Sequence, residues 1–412
     1  MRIFIFTIFL AHFADCSLKF VQIWFRHGER LPTHFLRFPG EDPNNFDYLN
    51  IGYPGELTNR GIGEEFQLGE KLAEIYGPHF GDTYRPNDFH VYTGKDNRTS
   101  TSAQAFFAGF FPPNVDQRWS KTLNWQPVAQ ETDQSLDWVS LGALDNCPVY
   151  GTTYSTSEEY DNVMKFVAKQ DPKLLEVVRQ YTNETISTAS RYNHAIDSLK
   201  VRGILNDTRL PVPQWAVQYH DQIYAMSYLI HEAVVKSQNF TIGNYHVELV
   251  MSFFESYFIK NNTKGVFVSG HDTNIVAIWE ALQLDGHPKD IPSFGAHLAI
   301  ELHEIDGLLS VRFFLAMGYN QERIEIIPKF CGGVCSWDKL QQITTNARKP
   351  RSDWAFECKG IEKAGEPVST ITGSMIVLLS ILLLSTIILA FTTISYKRQI
   401  NNLRDPERAR LL

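Results

Sequence analysis

The apolar and polar positions along the chain predict alternating strands and helices at both ends and mainly helices in between. Continuous apolar runs at residues 20–25 and 265–269 are typical of buried strands. Residues 151–254 instead repeat their apolar positions with the period of a helix. Shorter helix and strand patterns complete both ends, at residues 57–76, 89–93, 98–111, 274–284, 297–302 and 309–315. We therefore predict an α/β fold with a central, mostly parallel sheet flanked by helices.

The same patterns predict how the chain is divided. We expect one folded body at residues 17–360. Its α/β core combines residues 17–150 and 255–360, and residues 151–254 form an inserted helical cap domain. Strand runs are scarce in the insertion, which is why we interpret it as a cap rather than as part of the sheet.

The N-terminus has the composition of a secretory signal peptide. Arg2 precedes an apolar run at residues 3–13, which is too short to span a bilayer. The small residues Ala14 and Cys16 then suit the cleavage site of signal peptidase. We expect residues 1–16 to be removed as a signal peptide.

A second apolar segment lies near the C-terminus. No charged residue occurs between Glu366 and Lys397, and residues 371–394 are long enough to cross a bilayer as one transmembrane helix. The basic residues that follow place the tail, residues 395–412, in the cytoplasm. With a stalk at residues 361–370, this predicts a type I single-pass membrane protein whose body is lumenal or extracellular. A GPI signal is the alternative, but such signals have no basic tail after the apolar stretch.

Charge and cysteine content fit a protein of the secretory route that does not bind nucleic acid. The net charge is −8, and an acidic body lacks the basic face that nucleic acid requires. Four of the five cysteines lie beyond the predicted signal peptide, an even number in an oxidising compartment. A sequon at Asn97 stands beside a candidate site residue, and we expect no glycan there. Glycosylation is expected at the other four sequons, Asn183, Asn206, Asn239 and Asn261.

Charged and reactive residues follow the two long apolar strands. Arg26, His27 and Arg30 come at the end of the first strand, and His271 and Asp272 follow the second. Arginine grips oxyanions with paired hydrogen bonds, and histidine can act as a nucleophile or carry a proton. Sites in open α/β sheets form outside the carboxyl ends of the strands, so these residues are expected to meet.

A third arginine, Arg98, follows the short strand 89–93 at the start of a helix and can join this group. Three arginines, two histidines and one carboxylate suit a transferring phosphoryl group, which needs positioning and charge neutralisation. The arginines that flank His27 should lower its pKa and leave a neutral imidazole that can attack phosphorus. Asp272 is the carboxylate of the set, and it must be protonated to act on the leaving alkoxide, which favours low pH.

Two motifs carry a resemblance to a known family. FRHGERLP at residues 25–32 resembles the RHGxRxP signature of the histidine acid phosphatases, and SGHDT at residues 269–273 resembles their HD motif. The similarity covers nearly the whole mature chain to about residue 360. It implies that His27 is a nucleophile that becomes a phosphohistidine and that Asp272 is the proton donor. It also implies that the phosphate is bound by Arg26, Arg30, Arg98 and His271.

The resemblance implies further properties of the protein. It predicts an acid phosphatase that hydrolyses small-molecule or phosphoprotein phosphomonoesters with no metal and no cofactor. It predicts the disulfides Cys147–Cys358 and Cys331–Cys335. The combination of a signal peptide and one C-terminal span is similar to membrane-anchored lysosomal acid phosphatases, which favours a lysosomal, endosomal or plasma membrane location. The oligomeric state stays open, with a homodimer as one option.

Two other functions fit parts of the pattern. A phytase-like inositol polyphosphate phosphatase shares both motifs, although the acidic body and the absence of an evident lysine-rich pocket favour a less charged substrate. A non-catalytic receptor ectodomain on the same fold is the second alternative. The intact set of six residues argues against a retired site.

Overall fold

An eight-stranded sheet forms the centre of the fold. The computed structural model describes residues 16–41, 52–138, 147–182, 184–238, 243–260, 263–285, 290–360 and 370–404. The strands are β1 (Cys16–Arg26), β2 (Phe89–Thr93), β3 (Glu131–Thr132), β4 (Gly265–Gly270), β5 (His297–Ile305), β6 (Leu308–Ala316), β7 (Ile324–Ile326) and β8 (Cys335–Ser336). Their order is β3-β2-β4-β1-β5-β6-β7, and β8 pairs with β6.

The sheet has a parallel half and an antiparallel half. β1, β2, β3 and β4 pair in parallel, whereas β5 to β8 pair antiparallel and β5 lies antiparallel to β1. The predicted mostly parallel sheet therefore holds for the first half only, and the sheet as a whole is mixed. The cause is local, because Asp306 and Gly307 adopt φ angles of 50° and 80° and turn β5 directly back into β6. An Asp-Gly pair between two apolar runs is a hairpin signal, and a two-residue turn can only join antiparallel strands.

Helices cover both faces of the sheet and build the insertion. In the first half of the chain they are α1 (Asn59–Phe80), α2 (Asn97–Phe110), α3 (Pro148–Ser155), α4 (Glu158–Gln170), α5 (Pro172–Tyr181) and α6 (Ala189–Leu205). In the second half they are α7 (Gln214–Val217), α8 (His220–Gln238), α9 (Asn244–Lys260), α10 (Asp272–Ala281), α11 (Trp337–Thr344) and α12 (Arg351–Lys359). A further helix, α13 (Thr370–Arg404), belongs to a separate unit of the chain.

The two faces of β1 explain its continuous apolar sequence. Phe20 and Trp24 pack with side chains of α9 and α10 on one face of the sheet. Val21, Ile23 and Phe25 pack with α1 and α2 on the opposite face. All five side chains are buried. A strand that is covered on both faces shows no alternation of polar residues, so the predicted buried strand is confirmed.

The insertion has an apolar core of its own, formed by side chains of α4 to α8. Leu36 and Phe38, from the loop after β1, are part of that core. The cap therefore packs on the chain segment that follows the candidate motif. Helix α9 instead contributes to the core of the sheet, so the expected cap boundary at residue 254 falls inside a helix of the sheet layer. Helix α9 has the same spacing of apolar residues whether it packs on the sheet or in the cap, so the pattern alone cannot place this boundary.

Both expected disulfides are present in the structure. Cys147–Cys358 joins the chain before α3 to the end of α12, and Cys331–Cys335 closes a short loop before β8. The sequon at Asn206 is exposed, where a left-handed residue ends α6. The remaining predicted glycosylation sites lie outside the described residues: Asn183, Asn239 and Asn261.

Residues Met1–Lys359 and Gly360–Leu412 form two separate units. Residues 1–15 of the predicted signal peptide and 361–369 of the predicted stalk lie outside the described residues. The second unit contains α13, whose side chains are described for residues 382–401. Within the part of the chain that the structure describes, no helix combines the length and the apolar character needed to cross a membrane.

Candidate active site

The loop after β1 lies directly on the start of α1. A Cβ atom on Gly28 would stand 2.4 Å from the carbonyl oxygen of Gly61, and one on Gly61 would stand 2.1 Å from that of Glu29. The Gly28 amide donates to Ser102 Oγ on α2 at 3.1 Å. Two glycines that meet backbone to backbone therefore set how closely the loop approaches the helices. A side chain at either position would displace the loop.

Glu29 anchors the same loop to the start of α1. Its carboxylate is buried, accepts a hydrogen bond from Thr58 Oγ1 at 2.7 Å, and forms an ion pair with Arg60. Thr58 is also the N-cap of α1, because its hydroxyl accepts from the Gly61 amide at 3.0 Å. These contacts hold the Glu29 carboxylate against the first turn of α1.

The structure brings all six predicted residues to the wall of one cavity of about 370 Å³. β1 ends at Arg26, α2 begins beside Arg98, and β4 leads into α10 at Asp272. The His27 amide donates to the Gly270 carbonyl at 3.0 Å, so the ends of β1 and β4 are held side by side. This is the convergence that parallel strands give at their carboxyl ends.

His27 is a buried, neutral base in this cavity. Its pKa lies well below the ordinary value, first because the ring is buried and then because of the positive charges of Arg98, Arg26 and Arg30. Its Nδ1 atom lies 2.9 Å from the carbonyl oxygen of Gly28. A carbonyl only accepts hydrogen bonds, so Nδ1 carries the proton and the lone pair lies on Nε2. The imidazole is therefore held in the tautomer that can attack through Nε2.

Arg26 is fixed by three different groups. It forms an ion pair with Asp272 at 3.0 Å, donates to the carbonyl oxygen of Pro292 at 2.6 Å, and lies over the Phe294 ring with its guanidinium carbon 4.3 Å from the centroid. Arg30 lies farther over the same ring, at 5.9 Å. Phe294 thus forms a flat floor beneath both guanidinium groups, which limits their rotation.

Arg30 is held by a carboxylate of the cap. Its two terminal nitrogens donate to the two oxygens of Asp197 at 3.2 and 3.0 Å. Burial alone would raise the pKa of Asp197, but the charge and hydrogen bonds of Arg30 lower it to about 2. The paired geometry is the strong form of an arginine–carboxylate contact. Helix α6 of the cap therefore completes the site that β1 begins.

Asp272 is an ionised carboxylate. Burial raises its pKa, but the charges of Arg26, His231, His271 and Arg30 outweigh burial and lower it below the ordinary value. Its Oδ1 atom also accepts from the Thr273 amide at 2.7 Å. Asp272 must therefore gain a proton before it can act as the acid that the sequence predicts.

His271 and Arg98 also have carboxylate partners. His271 Nε2 lies 2.9 Å from Asp137 Oδ1 and 3.6 Å from Asp96, which in turn pairs with Arg98. Ligand atoms of Asp96, Asp137 and His271 lie within 4.8 Å of one another, a spacing that a metal ion could bridge. Asp137 is already engaged by His271 and by the Lys95 amide, which donates to its second oxygen at 2.7 Å, and Asp96 pairs with Arg98. These contacts fix the positions of His271 and Arg98 at the cavity wall.

The cavity also contains residues that the sequence patterns did not single out. Asn193, Asp197 and Lys200 come from α6, and His231 comes from α8. His231 Nδ1 lies 2.8 Å from the carbonyl oxygen of Ser227 in its own helix. These residues lie on cap helices far along the chain from both motifs. Their helical spacing shows that they share a face but not what that face meets.

Comparison with known proteins decides the family. The model of the histidine phosphatase superfamily (branch 2) matches residues 17–316. The chain belongs to this superfamily. One relative of this chain is venom acid phosphatase Acph-1 of Apis mellifera, which is 27% identical to it over 86% of this chain and 92% of that protein. It is 25% identical to lysosomal acid phosphatase of Rattus norvegicus (90% and 88% covered) and 27% identical to prostatic acid phosphatase of Bos taurus (83% and 88% covered).

Two solved structures show the same fold. The phytase of Citrobacter braakii superposes with a TM-score of 0.59 at 15% identity, covering 84% of this chain and 99% of that one. The phytase of Hafnia alvei superposes with a TM-score of 0.55 at 15% identity, covering 81% and 98%. At this identity the likeness concerns the architecture of sheet, flanking helices and cap.

Proposed function

We propose that this protein is an acid phosphatase that hydrolyses phosphate monoesters through a phosphohistidine on His27. The observation that carries the proposal is the state of His27, a neutral imidazole with its lone pair on Nε2, buried among three arginines and His271. A phosphate group held by these cations presents its phosphorus to Nε2. The names of the curated relatives, venom, lysosomal and prostatic acid phosphatases, support the same activity.

The reaction then takes two steps. In the first, Nε2 of His27 forms a bond to phosphorus, the bond from phosphorus to the ester oxygen breaks, and Asp272 gives its proton to the departing alkoxide. In the second, Asp272 takes a proton from water while that water attacks phosphorus and releases His27. Arg26, Arg30, Arg98 and His271 stay on the phosphoryl oxygens throughout and stabilise their charge.

Because Asp272 is ionised, the proton that it gives to the leaving group must come from another group. A phosphate monoester has a second pKa of about 6, so at lower pH it arrives as a monoanion that carries a proton. Once bound, its negative charge offsets Arg26, and that offset raises the pKa of Asp272. We propose that the substrate monoanion delivers the proton that Asp272 passes to the leaving group. Activity should then fall as pH rises through the second pKa of the substrate.

Two substitutions test this mechanism. His27→Ala should abolish release of phosphate from 4-nitrophenyl phosphate, whereas His220→Ala, an exposed histidine of the cap, should not. Asp272→Asn should slow poor leaving groups such as alkyl alcohols far more than 4-nitrophenol, because nitrophenolate departs without protonation. Full activity of His27→Ala would refute the nucleophile, and an equal loss for both leaving groups would refute Asp272 as the acid.

The charge of the cavity bears on the phytase alternative. The described lining contains five lysines and arginines against four aspartates: Arg26, Arg30, Lys95, Arg98 and Lys200 with Asp96, Asp137, Asp197 and Asp272. That balance suits one phosphate group better than six. Turnover of inositol hexakisphosphate should be slower than that of a simple monoester, and the reverse order would favour a phytase. A retired receptor would hydrolyse neither.

Location is a separate part of the proposal. The two disulfides support a lumenal or extracellular catalytic domain, as do the lysosomal and prostatic acid phosphatases among the relatives. The uncharged stretch between Glu366 and Lys397 supports an anchor at residues 371–394. Phase partition of the full chain and of a chain ending at residue 360 in a nonionic detergent tests it. The anchor is refuted if both remain in the aqueous phase.

A further inference from the structure

The proposed phosphate-binding residues differ from Lys200 in that each has a carboxylate partner. Among the described residues the pairs are Arg26–Asp272, Arg30–Asp197, Arg98–Asp96 and His271–Asp137. These pairs hold the phosphate-binding groups in place before substrate arrives. They leave the charge of the inner cavity nearly balanced.

Lys200 lines the same cavity without such a partner. Its ammonium lies over the ring of Tyr224, 5.1 Å from the centroid, and within the described chain no carboxylate oxygen lies in ion-pair contact with it. A cation–π contact holds the ammonium in position but leaves its hydrogen-bond donors open. Burial lowers its pKa, as does the charge of Arg26, while Asp290, Asp272 and Asp197 raise it. Starting from an ordinary value of 10.5, it is charged at acidic pH.

Lys200 shares the wall of the cavity with Asp272, the proposed proton donor to the leaving alkoxide, and with Arg26. Helix α6 presents Asn193, Asp197 and Lys200 to the cavity at intervals of four and three residues, which places them along one helical face. Asp197 forms the ion pair with Arg30, and Asn193 and Lys200 lie on either side of it along the same face of α6.

Asn193 gives a second indication that this face meets a ligand. Its side chain is 9% exposed, and its amide oxygen has no hydrogen-bond partner among the described residues. A buried polar atom without a partner is costly, and a bound polar group would satisfy it. Asn193 and Lys200 are about 10 Å apart along the helix, at ~1.5 Å per residue. That span is long enough for a small alcohol, and both of its ends are polar.

We propose that Lys200 forms a leaving-group subsite that selects phosphate monoesters whose alcohol carries a second oxyanion, either a carboxylate or a phosphate. This rests on the proposed phosphatase function. The phosphate to be transferred lies against His27, and the second anion of the same molecule accepts hydrogen bonds from the Lys200 ammonium. Lys200 is thus a specificity-determining residue that contacts the part of the substrate that leaves.

Two pairs of substrates measure the preference. 3-Phosphoglycerate and glycerol 3-phosphate differ by a carboxylate in place of a hydroxymethyl group, and fructose 1,6-bisphosphate and fructose 6-phosphate differ by a second phosphate. For each pair, the ratio of kcat/KM of the more anionic to the less anionic substrate is measured at pH 5. A charge-assisted hydrogen bond that one member lacks changes such a ratio by about 10-fold or more. The wild-type ratio should exceed 1 in at least one pair.

Lys200→Met should lower that ratio about 10-fold, and Lys200→Arg should largely keep it, because arginine retains the charge. Lys173→Met is the matched control, since Lys173 is exposed on α5 and also lies over a tyrosine ring, 5.9 Å from the Tyr219 centroid. If Lys200→Met lowers the kcat/KM ratio for 3-phosphoglycerate over glycerol 3-phosphate, the second anion is a carboxylate. If it lowers the ratio for fructose 1,6-bisphosphate over fructose 6-phosphate, the second anion is a phosphate. Lys200→Gln serves if the methionine variant does not fold.

The outcomes separate this inference from the proposed function. If the wild type hydrolyses 4-nitrophenyl phosphate but both ratios are 1 or less, the subsite is refuted and the phosphatase stands. The same holds if neither Lys200→Met nor Lys200→Gln changes either ratio by more than about twofold. If the wild type hydrolyses none of the five compounds, the phosphatase is refuted and the subsite with it.

Discussion

Substitution of Asp197 by Asn should reveal how much the cap contributes to the site. The carboxylate forms a paired contact with Arg30 and also accepts from the amide and hydroxyl of Thr33 at 3.3 and 3.2 Å. Asparagine has nearly the same shape but no charge. The variant therefore loses the ion pair and leaves the Arg30 guanidinium without its anion in a largely buried position.

The magnitude follows from the pKa. Asp197 falls from an ordinary pKa of 3.8 to about 2 in the folded protein. At ~1.4 kcal/mol per pKa unit, the charged form stabilises the fold by about 2 kcal/mol. Because the folded pKa is the lower one, this stabilisation is fully present above about pH 4 and is lost as pH falls from about 4 to 2. Arg30 also loses its orientation, so kcat/KM should fall about 10-fold or more.

The assay is urea unfolding of the wild type and the variant between pH 6 and pH 2. We expect the difference in unfolding free energy to be about 2 kcal/mol at pH 6 and to shrink towards zero at pH 2. Asp207→Asn is the control, because Asp207 pairs with the exposed Arg209 near the end of the same helix and its loss should matter much less. A difference that is absent at pH 6, or that is unchanged at pH 2, would refute the reasoning.

Two further predictions concern the loop and its histidine. Arg98→Ala should raise the pKa of His27, because after burial the charge of Arg98 is the largest cause of its lowered pKa. NMR titration of the His27 ring measures this pKa, and an unchanged value in the variant would contradict the account. Gly28→Ala should reduce kcat by about 100-fold, because its methyl group would stand 2.4 Å from the Gly61 carbonyl oxygen and displace the loop. Gly63→Ala, whose Cβ would meet nothing within 4 Å, should keep activity, and equal effects of the two would contradict the packing argument.

How much of the site a single sequence can reveal depends on where each residue lies. Arg26, His27, His271 and Asp272 could be grouped because each follows or ends a strand, and ends of parallel strands meet by geometry. Arg98 could join them for the same reason. Glu29 lies in the same motif but serves a different purpose, and only the structure shows its partners Thr58 and Arg60.

The cap residues could not be found in that way. Asn193, Asp197 and Lys200 lie on one face of α6, but a polar helical face looks the same whether it meets solvent or a cavity. Which surface α6 covers depends on how the insertion folds back over the sheet, a long-range contact that no local pattern encodes. The cap boundary was missed for a related reason, because α9 is apolar in the same rhythm whether it packs on the sheet or in the cap.

The antiparallel half of the sheet shows the opposite case. Asp306-Gly307 between two apolar runs is a local signal, and its left-handed φ angles reverse the chain in two residues. The alternation of strands and helices elsewhere favoured a parallel arrangement and masked this signal. The connection between β5 and β6 is too short for a crossover helix, so the turn residues alone determine that these strands pair antiparallel.

Trapping of the phosphoenzyme tests the central claim most directly. The wild type is mixed with 4-nitrophenyl phosphate, quenched within milliseconds at alkaline pH, where phosphohistidine survives, and digested for mass spectrometry. We predict one phosphate on His27, attached at Nε2, because Nδ1 is held as a donor to the Gly28 carbonyl oxygen. Phosphate on another residue, attachment at Nδ1, or turnover without any phosphoenzyme in the wild type would contradict the account.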